Sequence, residues 1–268
     1  LSGTTYLRAL TVGSTQGVYG AAAEAPLLMG RLLDMEPVYT PVLWTARSLF
    51  AFQGLKFDTA GQENIPRTGG GVVALNHFGY MDFALSGRIY LDVDRIVRFM
   101  AKKEVFDNKI SGPIMRSLKH IPVDRAQGAD SYRNAVEYLK RGELVGVYPE
   151  ATMSRSFEIK ELKKGAARMA QEAGVPILPT IVWGAHRIWT KDVPKNIGRT
   201  KTPIHVTVGD PIHVGPDDDI TAKTEELREV MKRLLDETIA AYPKLEGADL
   251  RFLPARLGGT APTYEEAY

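Results

Sequence analysis

Short apolar runs alternate with amphipathic segments along most of the chain. Runs rich in Val, Ile, Leu and small residues, bounded by Gly, Pro or charged residues, are typical of buried strands. Six runs after residue 70 have this character, and a shorter one precedes them. They are 71–75, 95–101, 121–123, 144–148, 175–183 and 204–208, with the shorter run at 54–58.

The segments between the runs carry apolar side chains at the three- to four-residue spacing of amphipathic helices. They are 41–53, 83–90, 111–118, 130–140, 160–172 and 221–241. Gly142 and Gly174 directly follow the pattern of two of them, as is common beyond a helix C terminus. Strands that alternate with helices predict a single α/β domain, with a largely parallel central sheet flanked by helices and an amphipathic helix near the N terminus.

The two ends of the chain differ in composition from the region between them. Small residues dominate 1–34, whereas 245–268 is rich in Pro and Gly. We therefore expect an N-terminal extension at 1–34, a domain at 35–244 and a C-terminal tail at 245–268 that drapes over the surface.

Composition excludes several classes of function. The chain has 268 residues, 44% hydrophobic and 25% charged, with a net charge of +2. That balance is ordinary for a globular protein and gives no footprint of nucleic-acid binding. The absence of cysteine excludes disulfides, thiolate metal sites and a cysteine nucleophile, and no histidine spacing suggests a metal site. No apolar stretch reaches the length of a membrane-spanning helix.

The segment Asn-His-Phe-Gly-Tyr-Met-Asp at 76–82 carries the most suggestive chemistry. An imidazole such as that of His77 accepts a proton near neutral pH, and a carboxylate such as that of Asp82 can orient it. On a regular helix, five residues at about 100° each would leave the two side chains about 140° apart. They can meet only if His77 lies in the loop before the helix. A surface hydrogen bond or a helix cap is the alternative interpretation of this pair.

Charged residues also follow other predicted strands. Lys102 and Lys103 follow 95–101, Arg125 follows 121–123, and Glu150 follows 144–148. Ligands of parallel sheets bind at the carboxyl ends of the strands, where these residues and His77 would converge. Three cations at one edge predict an anion site, and the forked guanidinium of an arginine suits a phosphate.

Four motifs, in order, resemble those of the glycerolipid acyltransferase family, the 1-acylglycerol-3-phosphate acyltransferases and their relatives. The first motif is Asn-His-x4-Asp at 76–82, and the second runs from Lys-Glu at 103–104 to Asp-Arg at 124–125. The third is Tyr-Pro-Glu-Ala-Thr at 148–152, similar to Phe-Pro-Glu-Gly-Thr, and the fourth is Val-Pro-Ile-Leu-Pro at 175–179. The resemblance implies an α/β acyltransferase domain.

The same resemblance implies a mechanism without metal or cofactor. His77 would be the general base that deprotonates the acceptor hydroxyl, and Asp82 would orient it. The hydroxyl would attack the thioester of acyl-CoA or acyl carrier protein. The acceptor would be a glycerophosphate or lysophospholipid, with 1-acyl-sn-glycerol-3-phosphate as first choice. Glycerol-3-phosphate and other lipid alcohols remain open.

The resemblance also assigns substrate-binding residues. Lys103 and Arg125 would hold the acceptor phosphate. Glu150, Thr152, Asn76 and Arg155 would line the acceptor site.

Two residues depart from the family pattern. Ala151 stands where the family usually has Gly, so that backbone is less free to adopt a positive φ. Met153 stands where many members have Arg, which removes one expected cation; Arg155 is a candidate substitute.

The helix predicted at 41–53 combines Trp44, Phe50 and Phe52 with Arg and Lys at its edge. Such a helix can lie in a membrane interface or can pack on the core. We expect a peripheral protein on the cytoplasmic side of the cell membrane. A lipid-binding peripheral protein without catalysis is the main rival hypothesis, and a thioester hydrolase is a third.

Overall fold

The computed structural model describes residues 39–124 and 128–268. Seven strands form its sheet: β1 Lys56–Ala60, β2 Gly71–Leu75, β3 Val97–Lys102, β4 Ile121–Val123, β5 Leu144–Val147, β6 Ile177–Trp183 and β7 Pro203–Val208. The helices are α1 Tyr39–Gln53, α2 Asp82–Leu91, α3 Lys103–Asp107, α4 Ser111–Ser117, α5 Gly128–Lys140, α6 Gly165–Ala173, α7 Ile220–Ala241 and α8 Tyr264–Ala267. The prediction of an α/β fold with helices around a central sheet is confirmed.

The strand order is β1-β7-β6-β2-β5-β3-β4. The five strands from β6 to β4 are parallel to one another. β2 lies between β6 and β5 and is the central strand of the seven. β7 is antiparallel to β6, and β1 pairs with β7 in the parallel direction. Because β2 to β5 all run the same way, the loops that follow these four strands emerge at one edge of the sheet.

The two faces of the sheet bury separate apolar clusters, as the pleat of a strand requires. Val72 and Ala74 of β2 join the cluster covered by α5, α6 and α7. Val73 and Leu75 join the opposite cluster, which α2 covers. All five residues of β2 are buried, which is the pattern expected for the central strand of a sheet with helices on both faces.

Helix α6 begins at Gly165, five residues later than the sequence pattern predicts. The backbone before it bonds elsewhere. The peptide N–H of Lys160 donates to Glu150, and that of Lys163 donates to the Pro149 carbonyl. The Lys160 carbonyl accepts from Arg228 of α7. These tertiary hydrogen bonds hold 160–164 in a non-helical path beside the loop after β5.

The predicted tail is packed on the molecule. Two short 3-10 helices, Gly247–Phe252 and Ala255–Leu257, lead to α8. Phe252, Ala261 and Ala267 are buried, so this segment contributes apolar side chains to the core. The predicted extension at 1–34 lies outside the described residues, as does Arg125.

The sequence of helix α1 allows packing on the core or contact with a membrane interface, and the helix has one packed side and one exposed side. Phe50 packs beside Leu55 and Phe57 at the edge of the α2-side cluster. Trp44 and Phe52, by contrast, are 55% and 65% exposed. Among the described helices, none is both long and apolar enough to cross a bilayer.

Candidate active site

His77 lies in the loop that joins β2 to α2, at the carboxyl edge of the sheet. Helix α2 begins at Asp82, so His77 is outside the helix, as the spacing of the pair requires. His77 Nδ1 and Asp82 Oδ2 are 3.2 Å apart. The His77 side chain is 22% exposed, whereas that of Asp82 is fully buried. The predicted histidine–carboxylate contact is therefore present in the fold.

The loop backbone also holds the Asp82 carboxylate. Oδ2 accepts hydrogen bonds from the peptide N–H groups of Phe78 and Gly79, each at 2.8 Å. Burial raises the pKa of the Asp82 carboxyl, while the hydrogen bonds from His77, Gly79 and Phe78 lower it. The two N–H donors fix the carboxylate towards Nδ1, which leaves Nε2 as the ring nitrogen that can exchange a proton with a substrate.

Residues 186–189 also hold the loop. Tyr80 N–H donates to the Trp189 carbonyl at 3.0 Å. A Cβ at Gly79 would lie 2.9 Å from that carbonyl oxygen and 3.1 Å from the Cα of His186. Glycine at position 79 therefore permits the close packing that fixes the course of the loop behind the histidine.

The loop after β5 supports His77 from the neighbouring strand. The Tyr148 ring stacks on the imidazole, with centroids 4.1 Å apart and planes 24° from parallel. Glu150 is buried, and its carboxylate accepts from the peptide N–H of His77 at 2.9 Å and of Lys160 at 3.2 Å. Burial raises the pKa of Glu150, and these N–H groups and the Lys160 ammonium oppose that shift. Glu150 thus ties three segments together at the site.

The rest of the third motif folds back towards His77. Ala151 has a left-handed φ of +63°. Ser154 N–H donates to the His77 carbonyl at 2.7 Å. Thr152 is exposed, and its hydroxyl accepts a hydrogen bond from the Lys160 ammonium. Both peptide groups of His77 are therefore held by residues 150–154.

This arrangement suits proton transfer by a fixed base. A histidine held by a carboxylate at one nitrogen can take a hydroxyl proton at the other. Within the described ranges, no cluster of three or more His, Asp and Glu side chains is placed to hold a metal ion.

Comparison with known proteins identifies the family. The Acyltransferase family profile matches residues 56–183, which include both partners of the pair. A 1-acyl-sn-glycerol-3-phosphate acyltransferase of Bacillus subtilis is 32% identical over 180 residues, which are 65% of this chain and 85% of that protein. The chain belongs to the glycerolipid acyltransferase family. The family predicted from the four motifs is thus confirmed, and with it the class of enzyme.

A more distant relative and a solved structure also match this chain. A 1-acyl-sn-glycerol-3-phosphate acyltransferase of Pseudomonas aeruginosa is 27% identical over 177 residues, 64% of this chain and 63% of that protein. The crystal structure of the 1-acyl-sn-glycerophosphate acyltransferase PlsC of Thermotoga maritima superposes with a TM-score of 0.59 at 23% identity. The match covers 82% of this chain and 98% of that structure, so the two share their fold.

Two of the cations predicted to bind the acceptor of this acyltransferase, Lys103 and Arg155, are paired with carboxylates. Lys103 Nζ lies 3.3 Å from Asp124 Oδ2, and the Lys103 side chain is 55% exposed. Arg155 Nε lies 3.0 Å from Asp192 Oδ2. Arg125 is outside the described residues. Lys103 and Asp124 follow the adjacent strands β3 and β4, so both lie at the carboxyl edge of the sheet.

Asn76 is predicted to line the acceptor site, but in the structure its side chain bonds within the sheet. Asn76 is fully buried. Its Nδ2 donates to the Val182 carbonyl at 3.0 Å, and its Oδ1 accepts from the Val182 N–H at 2.8 Å. The amide therefore joins β2 to β6 behind the histidine, and both of its polar atoms are occupied.

Glu150, likewise predicted to bind substrate, has both carboxylate oxygens occupied by peptide N–H groups. Its observed contacts position His77 and Lys160.

Three residues at the site escaped the sequence analysis. The third motif predicts acceptor binding and gives no sign that Tyr148 stacks on His77. The amphipathic pattern places Lys160 in a helix, and Tyr268 lies at the far end of the sequence. The Tyr268 hydroxyl accepts from the Arg155 N–H at 3.0 Å, and the Lys160 ammonium lies 4.7 Å from the Tyr268 ring centre. No local pattern links residues so far apart.

Proposed function

We propose that this acyltransferase moves a fatty acyl group from a thioester to a hydroxyl of a glycerophosphate-type acceptor in phospholipid synthesis. The first-choice acceptor is 1-acyl-sn-glycerol-3-phosphate, the substrate in the names of the bacterial relatives, and glycerol-3-phosphate is the alternative. The observation that carries the proposal is the 3.2 Å contact of His77 Nδ1 with a buried carboxylate, which leaves Nε2 for the substrate.

His77 Nε2 takes the hydroxyl proton as the acceptor oxygen attacks the thioester carbonyl carbon. The carbon–sulfur bond breaks, and the departing thiolate takes the proton from Nε2, so the histidine returns to its starting state. Asp82 holds the ring and stabilises the imidazolium between the two proton transfers. The donor is acyl-CoA or acyl carrier protein.

The test measures transfer from a labelled long-chain acyl-CoA, or the matching acyl carrier protein, to lysophosphatidic acid and to glycerol-3-phosphate. His77→Ala should lower kcat/KM by about a hundred- to ten-thousandfold, because a positioned general base contributes that much. Asp82→Asn should lower kcat because the amide no longer stabilises an imidazolium. His213→Ala is the matched control. His213 is exposed and follows Ile212, which pairs with the first residue of β6 at the opposite edge of the sheet.

A folded His77→Ala protein that transfers at the wild-type rate would refute this mechanism. Free labelled fatty acid released without acceptor would indicate a hydrolase. Binding of both substrates without any product across donors and acceptors would indicate the lipid-binding rival.

We further propose that the protein is peripheral, on the cytoplasmic side of the cell membrane, and that α1 contributes to membrane binding. The exposure of Trp44 and Phe52 supports this proposal, since indole and phenyl rings favour the membrane interface.

A further inference from the structure

We propose that Lys160 binds the phosphate of the acceptor, and that Tyr268 covers this phosphate site in the conformation described above. The inference rests on the proposed function, because it assigns a substrate contact to the same site. It adds a cation that neither the motifs nor the comparisons point to.

The Lys160 side chain is largely buried, and among the described residues its ammonium has one hydrogen-bond acceptor. The residue is 7% exposed. Its Nζ donates to the Thr152 hydroxyl and lies over the Tyr268 ring. Among the described residues, no carboxylate forms a salt bridge with it. An ammonium has three donors, and the Thr152 hydroxyl accepts from one of them, so the other two N–H groups are left for a ligand such as a phosphate. Burial lowers the pKa of Lys160, while Glu150 raises it.

Two of the other predicted cations are less suited to the phosphate. Lys103 and Arg155 each form an ion pair with a carboxylate. Met153, which replaces the arginine of many family members, accepts a hydrogen bond at its sulfur from the Thr190 hydroxyl, 3.6 Å away. Lys160 supplies a positive charge close to the third motif, where Met153 stands in place of an arginine.

Lys160 is also held next to the base. Its peptide N–H and that of His77 donate to the same Glu150 carboxylate. Lys103, by contrast, follows β3, which is two strands from β2, or about 10 Å between strand axes. A phosphate on Lys160 would place the glycerol hydroxyls of the acceptor within reach of His77.

Tyr268 occupies the position that an anion would take. Its hydroxyl oxygen accepts from the Arg155 N–H, and its ring faces the Lys160 ammonium. The Tyr268 side chain thus contacts both of the donors that a phosphate would need. Tyr268 is nevertheless 56% exposed, and its displacement would also break its contact with the Tyr264 ring, whose centroid lies 5.2 Å away. When it moves aside, the Arg155 N–H and the Lys160 ammonium can both donate to phosphate oxygens.

The experiment measures binding by calorimetry without an acyl donor, so that no turnover occurs. The ligands are 1-hexanoyl-sn-glycerol-3-phosphate and 1-hexanoylglycerol, which lacks the phosphate. Lys160→Met should raise the Kd of the phosphorylated ligand about ten- to hundredfold, the range expected for a lost hydrogen bond to a charged group. It should leave the Kd of 1-hexanoylglycerol unchanged. Lys160→Arg should restore most of the affinity, and Tyr268→Ala should tighten phosphate binding.

Lys140→Met, an exposed lysine at the end of α5, is the matched control and should behave as wild type. In the transfer assay, Lys160→Met should raise the acceptor KM and leave kcat nearly unchanged. Equal Kd values for wild type and Lys160→Met would overturn the inference, as would equal weakening of both ligands, which indicates a purely structural lysine. In those cases the function of His77 would still stand on its own assay. Failure of the wild type to bind the phosphorylated ligand would count against the proposed acceptor as well.

Discussion

Ala151 adopts a backbone conformation that L-residues disfavour, with φ at +63°. The left-handed region costs a non-glycine residue roughly 1–2 kcal/mol because Cβ crowds the following carbonyl oxygen. The neighbouring hydrogen bonds, from Ala151 N–H to the Tyr148 carbonyl and from Thr152 N–H to the Glu150 carbonyl, hold the turn in this geometry. The sequence showed an alanine where the family usually has glycine; the structure shows the conformation that glycine would suit.

Ala151→Gly should therefore raise the free energy of unfolding. The relief of strain exceeds the extra entropy that glycine gives the unfolded chain, for a net gain of about 0.5–1 kcal/mol. Urea denaturation measures it. Ala240→Gly, at an exposed position in α7, is the control and should lower stability by a similar amount. A loss of stability in Ala151→Gly would contradict the strain.

At the scale of elements, Asn76 extends the pairing of β2 with β6. The last regular pair of the two strands is Leu75 with Thr180. One step further, the Asn76 side chain binds both polar groups of the Val182 backbone. The end of β2 is thereby fixed immediately before His77, where the loop to α2 begins.

Asn76→Ala should destabilise the protein by about 2–4 kcal/mol, because a buried N–H and C=O would lose their partners. Thermal or urea unfolding measures the loss. Asn196→Ala is the matched control: its side chain is exposed, and we expect a change within about 0.5 kcal/mol. If Asn76→Ala were as stable as wild type, the side-chain clamp would not hold β6 to β2.

At the scale of the molecule, the sheet presents the His77–Asp82 pair at one edge, and α1 presents aromatic side chains to solvent. Trp44, Leu49 and Phe52 are all exposed, while Val42 and Leu43 pack towards Ile96 and Leu118. One side of α1 therefore packs on the core. The other side is exposed and suits an apolar environment such as a lipid interface.

The double variant Trp44→Ser, Phe52→Ser should bind phosphatidylglycerol vesicles at least about tenfold more weakly than wild type, because two aromatic side chains no longer enter the interface. Vesicle flotation measures this. Leu257→Ser, which changes an exposed apolar residue of the C-terminal segment, is the control and should float as wild type does. Unchanged flotation of the double variant would exclude α1 as a membrane contact.

The sequence by itself determined most of the helices and strands, and it singled out the pair of His77 and Asp82. Periodicity reports burial, which is a local property, so β2, β5 and α2 lie close to where the pattern predicted them. The five-residue spacing of His77 and Asp82 already required a loop before a helix. Motif order identified the family.

Only the tertiary structure decided what supports that pair. Glu150 reaches His77 across 73 residues of chain, Asn76 reaches Val182 across 106, and Tyr268 reaches Arg155 across 113. Such contacts leave no periodic trace, because they depend on which strands become neighbours and on which backbone groups remain unpaired there. The backbone before α6 likewise forms tertiary hydrogen bonds in place of helical ones. The helix therefore starts only at Gly165, and Lys160 lies beside the site.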